Sequence, residues 1–173
     1  MKQGPDGQLT TIRTWWYKRF RAAAYANTLL WLAWTVAILL PTPPFSDLQP
    51  IMAGGSAGTW LLLAYVLFLA VGVLGFAAIS TFIFIIETHE QRRPNYRIML
   101  TGLTLSYVGT LASLLSLAVA GEIGGYSLVI AHSTVNATQN LLSPYANFIT
   151  ATCLAAIIGT GLIVYGMCTA KGN

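Results

Sequence analysis

Charge is what this chain has least of. Its 173 residues include nine basic and five acidic side chains, while 55% are hydrophobic. A soluble domain carries about 25% charged residues, so a water-facing globule of this composition is excluded. No polar block is long enough to fold alone, which leaves one domain over 1–173 and no separate soluble catalytic unit. The net charge of +4 does not point to nucleic acid, because the basic residues lie beside apolar runs rather than along one exposed face.

Cysteine is also sparse. Cys153 and Cys168 lie fifteen residues apart in the last apolar run, and a helical rise of about 1.5 Å per residue keeps them from bonding to each other. Catalytic patterns are missing too: there is no Gly-x-Ser-x-Gly, no His-Glu-x-x-His and no Cys-x-x-Cys. The run Gly54-Gly55-Ser56-Ala57-Gly58 lacks the lysine of a phosphate loop and reads as a flexible turn. No catalytic activity of its own is expected, and no catalytic or metal-binding residue is assigned.

What is present is four long apolar runs, at 22–40, 59–86, 98–120 and 144–167. Each is long enough as a helix to cross about 30 Å of hydrocarbon. The first run follows a basic region, yet it exceeds the roughly 7 to 15 residues of a signal-peptide core and is expected to be retained as a span. Pro41, Pro43 and Pro44 end it, since proline cannot donate the helical hydrogen bond. The fourth run is expected to start at Ser143, as cap, and Pro144, as first helical residue. The 121–142 stretch between the last two runs is too long for a simple turn. Near-helical spacing of Tyr126, Val129, Ile130, Ala137 and Leu141 predicts a short helix on the membrane surface there.

The fold expected is therefore all-α, a polytopic integral membrane protein with four transmembrane helices in two hairpins. The hairpins are joined by a charged island, 87–97, which holds Glu87, Glu90, Arg92, Arg93 and Arg97. Every lysine and arginine falls in the N-terminal segment, this island or the C-terminal tail. By the positive-inside rule those three regions face the cytoplasm, so both termini are inside. Helical spans of this kind suit a cell or inner membrane rather than an outer one. Within 1–21, Trp15, Trp16 and Tyr17 stand among basic residues and read as an aromatic anchor at the headgroup boundary. Glu87 closes the second run, where it is expected to reach the interface.

The third run carries the clearest pattern. Gly102, Ser106, Gly109, Ser113, Ser116 and Ala120 repeat at steps of four and three, the period of a packing seam. In lipid, small residues let helix backbones approach, and Ala151, Ala155 and Gly159 form a matching row in the fourth run. Ionisable residues inside spans mark transport and proton paths, and none lies within these four runs. His89 and His132 are the candidate haem ligands, but the topology puts them on opposite faces, so a haem would need help from a partner chain. Asn136-Ala137-Thr138 matches a glycosylation acceptor on the outer face.

These features lead to an expected function: a small non-catalytic accessory subunit of a larger membrane complex, with an energy-transducing oxidoreductase as the candidate complex. Its expected partners are membrane lipids, some of them bound, and other transmembrane subunits in a hetero- or homo-oligomer, with no nucleic acid. Two alternatives are a channel or carrier for a small neutral or weakly polar substrate, built from the Ser and Thr hydroxyls of the third and fourth runs, and a haem- or other cofactor-binding electron-transfer subunit using His132 or His89.

Overall fold

The computed structural model describes residues 16–172. Trp15 and the residues before it lie outside the described residues. Among those described, the chain is helical apart from two short strands and the turns. Four helical stretches are long and apolar enough to cross a membrane, at Trp16–Leu39, Gly58–Thr88, Tyr96–Val129 and Val135–Cys168, which fits a multi-pass membrane protein.

The first stretch is α1 (Trp16–Leu39). A short α2 (Leu48–Ala53) follows in the loop after the prolines. The second crossing is composite: α3 (Gly58–Leu67) runs into a π segment (Phe68–Gly75) and then α4 (Phe76–Thr88). α5 (Tyr96–Val129) and α6 (Val135–Cys168) are 34 residues each, about 50 Å long, well beyond the roughly 30 Å of a bilayer core. Residues Arg92–Arg93 (β1) pair antiparallel with Lys171–Gly172 (β2). This clip marks one end of the molecule, and the α5–α6 turn at 130–134 marks the other.

The stretch expected to hold a surface helix instead belongs to the two long helices. The physical reason lies in its small residues. Gly121 sits against the backbone of Leu61, and Gly125 against Ile51 and Gly58, where a side-chain carbon would collide. Glycines that look like helix breakers thus let α2 and α3 lie flush on α5, and tertiary packing outweighs their weak helix propensity. The start of α6 moves accordingly. Thr134 is its cap, with the side chain accepting from the Ala137 N–H, and Pro144 lies inside the helix rather than at its first position. A proline within a membrane helix is tolerated where neighbours re-satisfy the freed backbone groups. His132, at φ 50°, takes the left-handed conformation that reverses the chain.

The loop expected to be a flexible turn is packed as well. Leu48 and Ile51 of α2 join Leu61, Ala64 and Ala118 in one apolar cluster, and Ala57 joins Ala120 and Leu142 in another. Toward the clip end, Trp16, Phe20, Phe76, Ile83, Met99 and Ile163 form a third. The helices make an open row: α1 lies along α4 and the π segment, α3 lies along α5, and α6 packs on α5.

Candidate functional site

Gly102, Ser106 and Gly109 of the small-residue seam lie at the α5–α6 contact. Gly102, Ser106, Gly109 and Ser113 are buried, Ser116 is half-buried, and Ala120 is fully buried beside Ala57 and Leu142. A carbon added at Gly109 would stand 2.6 Å from the Ala156 nitrogen and 2.8 Å from the Thr152 carbonyl. Gly102 faces the Gly159 carbonyl and Ile163, and Gly159 in turn abuts the backbone of Ser106. The row on α6 is therefore Thr152, Ala156, Gly159 and Ile163. Ala151, expected in that row, is exposed, and Ala155 is half-buried. Gly159 belongs to both rows, while Ala151 and Ala155 each stand one residue before the contacting position, because α6 meets α5 with the same alternating four-three steps, not with steps of four.

Hydroxyls in this contact are used locally. Ser106 Oγ lies 3.1 Å from Thr160 Oγ1, and Ser113 Oγ donates to the Thr110 carbonyl at 3.1 Å. Thr160 also donates to the Ala156 carbonyl at 2.9 Å. Beside them a cleft of about 340 Å³ opens between the second crossing and α5–α6, lined by Gly75, Phe76, Ile79, Ser106, Thr110 and Thr160 among others. A second, apolar cavity of about 250 Å³ lies toward the turn end, with Trp34, Phe45, Leu61 and Glu122 in its wall.

At the clip end, Trp16 is 5% exposed and contacts the Tyr96 ring at 5.3 Å. It is thus part of the core rather than a belt residue facing headgroups. Tyr17 is half-buried against Phe84. Arg19 stacks over Trp16 and Tyr96, and Arg21 over Tyr17, so the aromatics beside basic residues form cation–π contacts. Arg92, Arg93 and Arg97 are exposed, and Arg92 meets Glu90 at 3.5 Å.

Glu87 departs from expectation. Instead of reaching outward it is 8% exposed, and the backbone N–H groups of Tyr17 and Trp16 donate to its carboxylate. Ser80 Oγ, two turns away on the same helix, donates to the Tyr17 carbonyl at 2.9 Å. Together they tie the start of α1 to α4.

The histidines stay apart. His89 caps α4 beside the clip, whereas His132 lies in the turn beyond the far end of α5, about 50 Å away by the length of that helix. Both are exposed, and no group of three or more metal-ligating side chains occurs among the described residues. Asn136 is exposed in the first turn of α6, but the Thr138 hydroxyl of its motif is buried and lies 3.1 Å from Ser127 Oγ.

Asn27 and Tyr65 read from the sequence only as separate polar residues within apolar runs; the structure joins them in one cluster. Asn27, Trp31 and Thr35 follow at four-residue steps on α1, facing the second crossing. Asn27 is fully buried and its Nδ2 donates to the Gly72 carbonyl in the π segment at 2.6 Å. Thr35 Oγ1 lies 3.0 Å from the Tyr65 hydroxyl, and Trp31 stacks on Tyr65 at 5.4 Å. The four-step spacing was the available signal; the π segment that receives Asn27 has no sequence marker beyond Gly72 and Gly75. No family model, no curated protein and no solved structure matches this chain.

Proposed function

We propose that this protein is an accessory subunit that packs laterally within a larger membrane assembly, inserted as two hairpins with both termini and the 87–97 island in the cytoplasm. The observation that carries the reading is the state of the seam. Its glycines bring α5 and α6 backbones together, and the Ser106 hydroxyl reaches Thr160 across that contact, while Ser113 bonds the Thr110 carbonyl of its own helix. Small residues and hydroxyls spent in this way hold helices together in lipid, where no hydrophobic force does so.

The orientation draws on the clip and on Trp16. Strand pairing of Arg92–Arg93 with Lys171–Gly172, and the Trp16–Tyr96 contact, bring the start of α1, the island and the tail to one end. All nine basic residues belong to these three regions of the sequence. That clustering is the positive-inside pattern.

Purification from its native membrane in mild detergent tests the proposal. Other chains should co-purify in fixed ratio, and a stable, functional monomer would overturn it. A carrier for a small neutral molecule is the second reading, favoured by the hydroxyl-edged cleft beside Ser106 and Thr160. Replacing Ser106 and Ser113 with leucine separates the two: a carrier loses flux while staying assembled, and a packing seam loses assembly. The haem reading rests on His132 or His89 with a ligand from another chain, and an optical spectrum of the purified complex decides it.

A further inference from the structure

We infer that the groove between α1 and α5 at the turn end binds a small amphiphilic organic cation, with the charged group at Glu122 and the apolar part against Trp34 and Leu115. The groove is the cavity of about 250 Å³ that has Trp34, Phe45, Leu61 and Glu122 in its wall, a little below the roughly 300–1,000 Å³ of ordinary ligand sites. Its occupant is therefore small. Leu61 of α3 is buried and backs the space, while Leu115, Val119 and Glu122 line it from one face of α5, at steps of four and three. Leu115 and Val119 are exposed, so the groove opens sideways toward lipid.

The lining changes polarity along its length. Glu122 is the one ionisable residue in it, and on α5 it stands about 39 Å along the axis from Tyr96, beyond the roughly 30 Å of hydrocarbon. That places the carboxylate at the headgroup level of the face opposite the clip, with Leu115 about 10 Å deeper. An acid at the surface above an apolar wall matches a molecule with a cationic head and a short apolar tail. Trp34 and Phe45 add aromatic surface, which attracts cations as well as apolar groups. The Trp34 ring is held edge-to-face by Tyr65 at 5.8 Å and Phe68 at 6.0 Å, so this wall is formed before a ligand arrives.

Charge decides the class of ligand. Among the described residues Glu122 has no hydrogen-bond or ion-pair partner. Across 40–57 and 113–142 the sequence has Asp47, Glu122 and His132 but no lysine or arginine. A fatty acid would set its own carboxylate against Glu122, and a phospholipid would bring a phosphate to a face with no lysine or arginine to receive it. A neutral amphiphile would leave the carboxylate unused. A net positive head on an apolar body satisfies both the acid and the wall beneath it.

Equilibrium dialysis of radiolabelled octyltrimethylammonium against the full-length protein in lipid nanodiscs tests the site, with protein-free nanodiscs as the partition baseline. Saturable binding above that baseline is expected, and octanesulfonate, with the same tail and the opposite charge, should not displace it. Glu122 is exposed, so Glu122→Gln leaves the packing intact; it should weaken binding about fivefold, near the upper end for an ion pair open to solvent. Val119→Trp should fill the groove and abolish saturable binding with the carboxylate still present. Binding no greater than to empty nanodiscs, or an affinity unchanged in either variant, would overturn the proposal. So would equal competition by octylphosphocholine, because the site would then accept the zwitterionic headgroup of a phospholipid.

Discussion

Gly159 of α6 rests directly on the backbone of Ser106 of α5, so close that a side-chain carbon on the glycine would overlap the serine nitrogen. Neither backbone has a flexible end that could swing away. Gly159→Ala and Gly109→Ala should therefore force the two helices apart, at a cost on the order of 1–3 kcal/mol, the usual range for overpacking. Gly161, two residues along, has nothing within 4 Å of its added carbon, and Gly161→Ala should leave stability unchanged or raise it by up to about 1 kcal/mol. Unfolding titrations in detergent would compare the three, and equal effects would mean that α5 and α6 do not meet on this seam.

The Ser106–Thr160 hydroxyl pair, at 3.1 Å, invites a double-mutant cycle with Ser106→Ala and Thr160→Val. Interhelical hydrogen bonds in membranes couple by about 0.6 kcal/mol on average, and that is the coupling expected here. Zero coupling would show the two hydroxyls acting independently, each bonded within its own helix.

Much of this arrangement was legible in the residues, and the exceptions have definite causes. The four crossings follow from apolar length, and the α5 face from the four-three steps of Gly102, Ser106, Gly109 and Ser113. What misled was glycine and proline read locally. Gly121, Gly124 and Gly125 have poor helix propensity, but they are the residues that admit Leu61, Ala57 and Ile51 to the α5 surface. Pro144 resembles a helix start, yet Thr134 already caps the helix. Trp16 and Glu87 carry no sign of burial in the sequence, because their partners Tyr96 and the α1 amides come from other segments of the chain.

Those two residues make a prediction of their own. Glu87→Ala removes the acceptor for the first amides of α1, whereas Glu87→Gln keeps an oxygen in place. Hydrogen bonds contribute about 0.5–1.5 kcal/mol each, so the alanine variant should loosen the start of α1 and the glutamine variant should do so less. Trp16, 5% exposed in the docked state, reports the change: its fluorescence should become more accessible to an aqueous quencher in Glu87→Ala. Identical quenching in wild type and both variants would sever Glu87 from the docking of α1.

On the proposed orientation, the exposed arginines of the island act through charge count rather than through packing. Arg92 makes an ion pair with Glu90, at 3.5 Å between half-exposed side chains, and such a pair contributes at most about 1 kcal/mol, so neutralising it should barely move stability. Topology depends on charge count beside the spans. Replacing Arg92, Arg93 and Arg97 with glutamine removes all the basic charge of the 87–97 island. A measurable fraction of chains should then insert the last two crossings with reversed or incomplete orientation. Labelling of a cysteine placed in the α5–α6 turn, in a background lacking Cys153 and Cys168, reads this from the two sides of the membrane. Unchanged labelling together with unchanged assembly would show that the island does not set the orientation of the second helix pair.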